Sequence, residues 1–328
     1  MLALFLACAA PAPSNADKPD AATDTAADTA ADTFAHRHYV ASDVTVPTTL
    51  AAAAGFAFDL DGDGEADNAL GGVTAMLADP ANDGVQPVEP TTAAIAAGTL
   101  VYLHALGARD FSDDAAATWQ VYVGTATEAP PAFDGTDTFS VDAAGPTDAV
   151  LQAVITSGRV NAGPGNLFVP IVLTPGAAPI RVPVAGAFLD ADVDNYGCVS
   201  GRIGGGIAKP AVDTLVVPAL ASAFDAIVAA SGAACRASAT SGDTSACTAD
   251  AASVLARFDS SPKDGEITAV ELTNEAVTRT LLTPDVDLVA ADEHYAPTVP
   301  TDAAWDAEAV SFAVGFTCSR ASFDAPEE

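Results

Sequence analysis

The chain has 328 residues, enough for one large or two medium domains, and its 44 acidic against 12 basic residues leave a net charge of −32. That field repels nucleic acid and anionic lipid headgroups, which removes both from the direct partners, while it attracts cations. Half of the residues are hydrophobic but only 6% are aromatic, so a core here is assembled from small side chains.

Lys18, Lys209 and Lys263 are the only lysines. Divalent ions or high ionic strength relieve the repulsion inside so acidic a compact state, and adaptation to a salty medium is one reading of this composition. Residues 1–10, Met-Leu-Ala-Leu-Phe-Leu-Ala-Cys-Ala-Ala, form an apolar run too short to span a bilayer. The run lacks a basic leading region, yet it reaches a cysteine preceded by Leu6-Ala7. In this it resembles the end of a bacterial lipoprotein signal, which implies lipidation at Cys8 and makes 1–8 the signal remnant. Phe5 departs from the aliphatic residue usual three places before such a cysteine, so Met1 is expected to lie inside a longer signal. Residues 9–34 are mostly Ala, Asp, Thr, Pro and Ser, with no aromatic or branched aliphatic side chain before Phe34. Such a segment cannot bury enough surface to fold and reads as a disordered acidic tether.

Residues 35–328 are expected to form a single β-rich domain. His36-Arg37-His38 puts two histidines on one face of a strand, a weak transition-metal motif without a third ligand. Val44, Val46 and Leu50 lead to Phe56-Ala57-Phe58, read as an apolar strand entering the most informative stretch of the chain. That stretch, Phe58-Asp59-Leu60-Asp61-Gly62-Asp63-Gly64-Glu65-Ala66-Asp67-Asn68, carries carboxylates at positions 1, 3, 5 and 9 of a loop over 59–68, with glycine at position 6. Ca²⁺ takes six to eight oxygens, and a short chain supplies them only if alternate side chains converge and the backbone then turns sharply. Asp59, Asp61 and Asp63 provide the convergence, Gly64 the turn, Glu65 a backbone carbonyl and Asp67 the closing ligand. Leu70, Val73, Met76 and Leu77 then have helical spacing, which gives Asp67 a second role as a helix cap.

From residue 98 to about 207 short apolar runs are broken by Gly and Pro, the pattern of an antiparallel sandwich or barrel-like sheet. Leu100–Leu106 is a buried-strand candidate with His104 as a hydrogen-bonded core histidine, and Trp119–Val123 alternates cleanly. Further runs cover 139–141, 150–155, 167–173, 180–189 and 198–207. Asp190, Asp192 and Asp194 alternate before Asn195 and Gly197, either as a second divalent site or as the solvated face of a strand entering a turn.

A helical insertion is expected over 211–284. Leu220, Phe224, Ile227 and Val228 define an amphipathic helix from Asp213 to Ala230, with Pro218 tolerable in its first turn. Ala249–Phe258 is a second helix, followed by a loop that starts at Asp259. Its second half resembles an EF-hand loop, with Asp264 at position 5, Gly265 at 6, Ile267 at 8 and Glu271 at 12. Asp259 lies one residue too early for position 1 and Pro262 stands where a ligand is usual. The loop is therefore one residue longer than standard with Asp259 still ligating, or a degenerate hand held by packing. Strand-like alternation resumes over 285–289 and 309–316, the last run returning to the sheet. The fold class expected is mainly β with an inserted EF-hand-like helix-loop-helix, α+β overall.

Without Cys8, Cys198, Cys235, Cys247 and Cys318 allow three pairings. Cys235–Cys247 and Cys198–Cys318 are preferred, because each pair stays within one type of structure. There is no CxxC, no G-x-S-x-G and no phosphate-binding pattern around Gly204-Gly205-Gly206, so no spacing points to an enzyme. A pair of facing carboxylates, as in glycosidases, would leave no mark in the spacing.

Taken together, these features resemble those of exported bacterial lipoproteins with an acidic tether, a DxDGDGxxDN loop, a β-rich body and a C-terminal EF-hand-like segment. The first loop is also similar to the calcium loops of thrombospondin type 3 repeats and integrin propellers. The resemblance implies Ca²⁺ at Asp59, Asp61, Asp63 and Asp67, and again at Asp264 and Glu271. It carries over no activity. The expectation is a calcium-stabilised structural or adhesive lipoprotein at the outer membrane, the cell surface or in the periplasm, touching the membrane only through its lipid. A calcium-dependent module for a cell-surface glycan or protein is the second reading, with Trp119 and Trp305 as its anchors; a secreted hydrolase is the third.

Overall fold

The computed structural model describes residues 34–78, 89–143, 149–173, 176–260, 262–286, 288–291, 294–297 and 308–325. The expected lipidation site Cys8, nearly all of the expected tether and Trp305 lie outside them.

Eight antiparallel strands close into a barrel. Their order around it is β1 (Ala35–Thr45), β2 (Val101–Ala108), β3 (Asp113–Ala126), β5 (Val150–Thr156), β6 (Arg159–Ile171), β7 (Ile180–Val193), β8 (Gly197–Ala208) and β11 (Ala309–Arg320). β11 then pairs with β1, and β4 (Phe139–Val141) hangs on the end of β3 outside the ring. Closure leaves no bare edge in the ring, which disposes of the sandwich alternative. The inward positions follow the period of two: Leu151, Ala153 and Ile155 on β5 are buried while Gln152, Val154 and Thr156 face out. Tyr39, Trp119, Leu167 and Val184 help to fill the interior. His104 is the core histidine expected. It is 3% exposed, its Nδ1 accepts the Trp119 Nε1–H at 3.1 Å, and Phe316 stacks on its ring at 5.2 Å.

Helices α1 (Leu50–Phe56), α2 (Ala69–Ala78) and α3 (Glu89–Ala96) lie between β1 and β2. The expected strand at Phe56–Phe58 is therefore wrong. Four alanines after a capping Thr49, whose side chain accepts the Ala52 N–H, make the helix the cheaper local choice. Only Phe58 keeps extended pairing, as a single bridge to Asp67 across the acidic loop.

The second group of helices sits between β8 and β11, as an insertion in the barrel. α4 (Lys209–Ala211), a π turn (Val212–Val216) and α5 (Val217–Ala230) run on as one helix. It starts four residues earlier than expected, so Pro210 takes the first turn and Pro218 lies deeper. Pro218 has no N–H to donate; the chain widens just before it, and the Val217 N–H reaches back to Val212. The run Lys209–Ala230 is long and apolar enough to cross a membrane, but Leu220, Phe224 and Val228 are buried in the protein core. Phe224 stacks on Phe258 at 4.8 Å, which joins α5 to α7 (Ala249–Phe258). α6 (Ala233–Ala239), α8 (Ala269–Asn274) and α9 (Ala276–Leu281) complete the group, and β9 (Leu288–Ala291) pairs with β10 (His294–Pro297) before the return to β11. An apolar cavity of about 60 Å³ is lined by Val44, Leu70, Val73, Tyr102, Val216 and Phe312, where the helices meet the barrel end.

Both preferred disulfides are present. Cys198 and Cys318 face each other in the β8–β11 register, and Cys235–Cys247 staples α6 to the loop before α7.

Candidate metal centres

The first acidic loop leaves the end of α1 and crosses the outside of the barrel. Phe58 lies on β8 only because residue 204 is glycine: a Cβ there would sit 2.9 Å from the Phe58 ring and 2.7 Å from the Phe312 carbonyl oxygen. Leu60, fully buried against Val286 and Ala309, pins the loop between two of its aspartates. The stem closes where the Asp67 N–H reaches the Phe58 carbonyl at 2.6 Å, while Asp67 Oδ2 accepts the Leu60 N–H at 2.8 Å. Gly64 takes φ 91°, a region that only glycine enters without strain, and its N–H turns back to Asp59 Oδ2.

Ligand oxygens of Asp59, Asp61 and Asp67 lie within 4.8 Å of one another. Asp61 is 3% exposed. Burial pushes its carboxyl up, and the charges of Asp63 and Asp59 add to this. Asp67 is pushed up to about 6, again first by burial and then by the charges of Asp61, Asp285 and Asp63. The Asp63 carboxylate, expected as a ligand, is exposed and stands outside the cluster, where it accepts the Glu65 N–H; the expected contribution of Glu65 is its backbone carbonyl, and its side chain faces solvent. Three of the four expected carboxylates thus converge.

Two residues of this region carried no role in the sequence reading. Asn68, and not Asp67, caps α2: its Oδ1 accepts the N–H groups of Gly71 and Ala313, and its Nδ2 donates to the carbonyls of Ala53 and Ala313. One side chain thereby ties the loop exit to α1, α2 and β11. An Asn directly before a helical run is a local signal that could have revealed it. Asn68→Ala is expected to cost about 2 kcal/mol, because four backbone groups lose their partner and water replaces only some of them. Urea unfolding measures it; an unchanged midpoint would show that the bracket is idle. Asp285, the second such residue, accepts from the Ser311 N–H and hydroxyl, and Ser311 in turn accepts the Ala69 N–H. Burial pushes Asp285 up, with Asp61 among the charges that add to it. No local spacing could have brought it here, since it arrives with the strand that leads back to the barrel.

The second loop lies between α7 and α8. Ligand oxygens of Asp259, Asp264 and Glu271 also lie within 4.8 Å of one another. Asp259 is 4% exposed and accepts from Asp264 N–H and Gly265 N–H, the same turn toward a positive-φ glycine that Asp59 makes with Gly64. Burial raises its pKa, and Glu271 and Asp264 add to the effect. Glu271 accepts from Ser260 and Thr268 and completes the capping box of α8. Asp259 thus stands with Asp264 and Glu271, as the longer-than-standard loop requires. Gly265 passes so close to α6 that a Cβ would lie 2.7 Å from the Arg236 carbonyl oxygen. Arg236 and Asp225 clamp this backbone, through the Gly265 carbonyl and the Ile267 N–H.

No family model, curated protein or solved structure matches this chain. Both clusters offer carboxylate oxygens alone, the donors of hard cations. Ca²⁺–O contacts of 2.3–2.6 Å let two ligands stand about 4.8 Å apart across one ion.

The third acidic run is not a cation site. Asp190, Asp192 and Asp194 do not converge, because arginines on neighbouring strands take them. Asp190 Oδ2 meets Arg159 at 2.6 Å and Arg202 at 3.1 Å, and Asp192 meets Arg159 at 3.0 Å. Asp194 folds back on its own turn and accepts from Tyr196 and Gly197. Arg202 also holds the first loop's stem, through the Ala57 carbonyl and the face of Phe58. His36 and His38 are 6.5 Å apart by ring centroid and His38 stacks on Phe323, a packing arrangement. Trp119, an expected ligand anchor, is fully buried.

Proposed function

We propose that this protein is a calcium-stabilised barrel that works outside the cytoplasm as a structural or adhesive element, held at the membrane through a lipid on Cys8. The observation that carries the calcium reading is the convergence of Asp59, Asp61 and Asp67 on one centre while Asp61 is almost wholly withdrawn from water. Three carboxylates in that position repel one another unless protons or a cation lie between them. An EF-hand-like second site at Asp259, Asp264 and Glu271 has the same character, with its first aspartate buried. The two disulfides support an oxidising compartment. The net charge of −32 favours a setting rich in cations.

Sites of extracellular type bind Ca²⁺ with Kd of about 10⁻⁴–10⁻³ M, and free calcium at about 100 times Kd stabilises by roughly 2.7 kcal/mol per site. Melting followed by calorimetry is therefore expected to lose roughly 5 °C or more when a chelator removes calcium. A midpoint that ignores the chelator would end the calcium reading. Asp61→Asn gives a sharper signature: the calcium-free variant melts above the calcium-free parent, since one buried charge is gone, and its response to calcium falls to that of the second loop alone. An Asp61→Asn protein that responds to calcium as the parent does would place the ion elsewhere.

A further inference from the structure

At one end of the barrel, the β5–β6 turn and the β7–β8 turn enclose a cleft of about 380 Å³ lined by Ser157, Asp192, Asp194, Tyr196, Val199 and the Cys198–Cys318 pair. Its walls are fixed to each other. The Val193 N–H bonds to the Gly158 carbonyl, the Gly158 N–H to Ser112, and the Ser157 N–H to the Asp113 carboxylate. Tyr39, from inside the barrel, donates to the Asp194 carbonyl at 2.8 Å.

Tyr196 is the unusual member. Its backbone is held on both sides, N–H to Asp194 Oδ1 at 2.7 Å and carbonyl to the Arg320 N–H at 2.7 Å, yet its ring is 82% exposed. Val199, 60% exposed, lines the same cleft. On a pinned backbone, only the two side-chain torsions of the ring remain to be ordered when a ligand covers it.

The charge around the cleft narrows the ligand. The molecule carries 44 acids against 12 bases, but here Asp190 and Asp192 are paired with Arg159 and Arg202, Asp194 is held by the N–H groups of its own turn, and Arg320 lies beside it on the Asn195 carbonyl. A cleft built for a cationic peptide would leave its carboxylates unpaired. An anionic ligand would meet the field of the whole protein. A neutral molecule with many hydroxyl groups suits both conditions: the lining carboxylates Asp192 and Asp194 accept hydrogen bonds, the Ser157 hydroxyl donates or accepts them, and the tyrosine ring covers an apolar sugar face.

We propose that this barrel end is a binding cleft for neutral saccharides, with Tyr196 as its platform. It is built from residues other than the acidic loops, so it does not rest on the calcium reading. Native electrophoresis through gels containing dextran, mannan or a mixed-linkage β-glucan tests it, with polygalacturonate and polylysine as charged counterparts and a chelator present throughout. The expected result is retardation by at least one neutral polysaccharide, weakened about tenfold by Tyr196→Ala and unchanged by Leu50→Ala, another exposed apolar side chain, on α1. Because the Tyr196 ring packs on little, that variant should melt as the parent does, which separates lost binding from lost fold. Retardation by none of the neutral polymers, by polylysine or polygalacturonate alone, or equally with and without the Tyr196 ring would overturn the proposal.

Discussion

Replacing Cys198 and Cys318 together by alanine is expected to lower the unfolding free energy by about 5 kcal/mol, against about 3 kcal/mol for the Cys235/Cys247 pair. The difference comes from the unfolded chain. The first bridge closes a separation of 120 residues and the second only 12, and the entropy removed from the unfolded ensemble grows with the logarithm of that length. In the folded state the first pair adds little geometric constraint, because residues 198 and 318 already face each other in the β8–β11 register. The closed segment contains the whole helical insertion, including the second acidic loop and Asp285. In the unfolded chain, losing the bridge therefore frees the whole insertion together with the second candidate metal centre. A typical net stability is about 5–15 kcal/mol, so the variant sits near the edge of folding at moderate temperature. Urea unfolding of both double variants, with calcium fixed, decides the matter. Equal costs would mean that residual structure in the unfolded chain, rather than loop length, governs the effect.

The same contrast between near and far partners explains what could be read in advance. The acidic loop was legible because its donors fall within nine residues and one glycine sets the turn; a local pattern suffices when the chemistry is local. Helix α2 and the strands with clean alternation were legible for the same reason. Whether they form a barrel or a sandwich was not, since alternation states which face is buried and leaves the closing partner, here β11 on β1, undetermined. The aspartates of β7 show the limit most clearly. In sequence Asp190, Asp192 and Asp194 fit either a second divalent site or the solvated face of a strand; in the barrel, Arg159 and Arg202 arrive from the two flanking strands and neutralise two of them. Asp63 is a different case. Its spacing suits a ligand, but it sits at the exposed turn of the loop and its carboxylate stands apart from those of Asp59, Asp61 and Asp67. Pro218 was expected within the first turn of its helix because a regular α-helix has no room for it further in, and the π turn supplied the room.

Acid should weaken the fold through His104, by about 3 kcal/mol at pH 4 relative to neutral pH. Burial holds this imidazole at about 4, well below its ordinary 6.5. The accepting Nδ1 also fixes it as the neutral tautomer with hydrogen on Nε2, because protonation would end the bond from Trp119. Between pH 6.5 and 4 the unfolded chain thus binds a proton that the folded one refuses. The stabilisation is whole above about pH 6.5 and is lost as the pH falls toward 4. Asp67 works in the opposite sense over part of this window: with its pKa raised to about 6, the folded calcium-free protein takes up the proton first, which favours the fold as pH drops. A wild-type profile alone would mix the two. His104→Gln separates them, since the amide oxygen can still accept from Trp119 while nothing at that position titrates, and every carboxylate contribution cancels in the difference. The stability difference between wild type and His104→Gln should therefore move by about 3 kcal/mol against the wild type between pH 7 and pH 4. If the two profiles run parallel, His104 either keeps its proton in the fold or reaches water, and the sealed barrel interior argued from Trp119 and Phe316 does not exist.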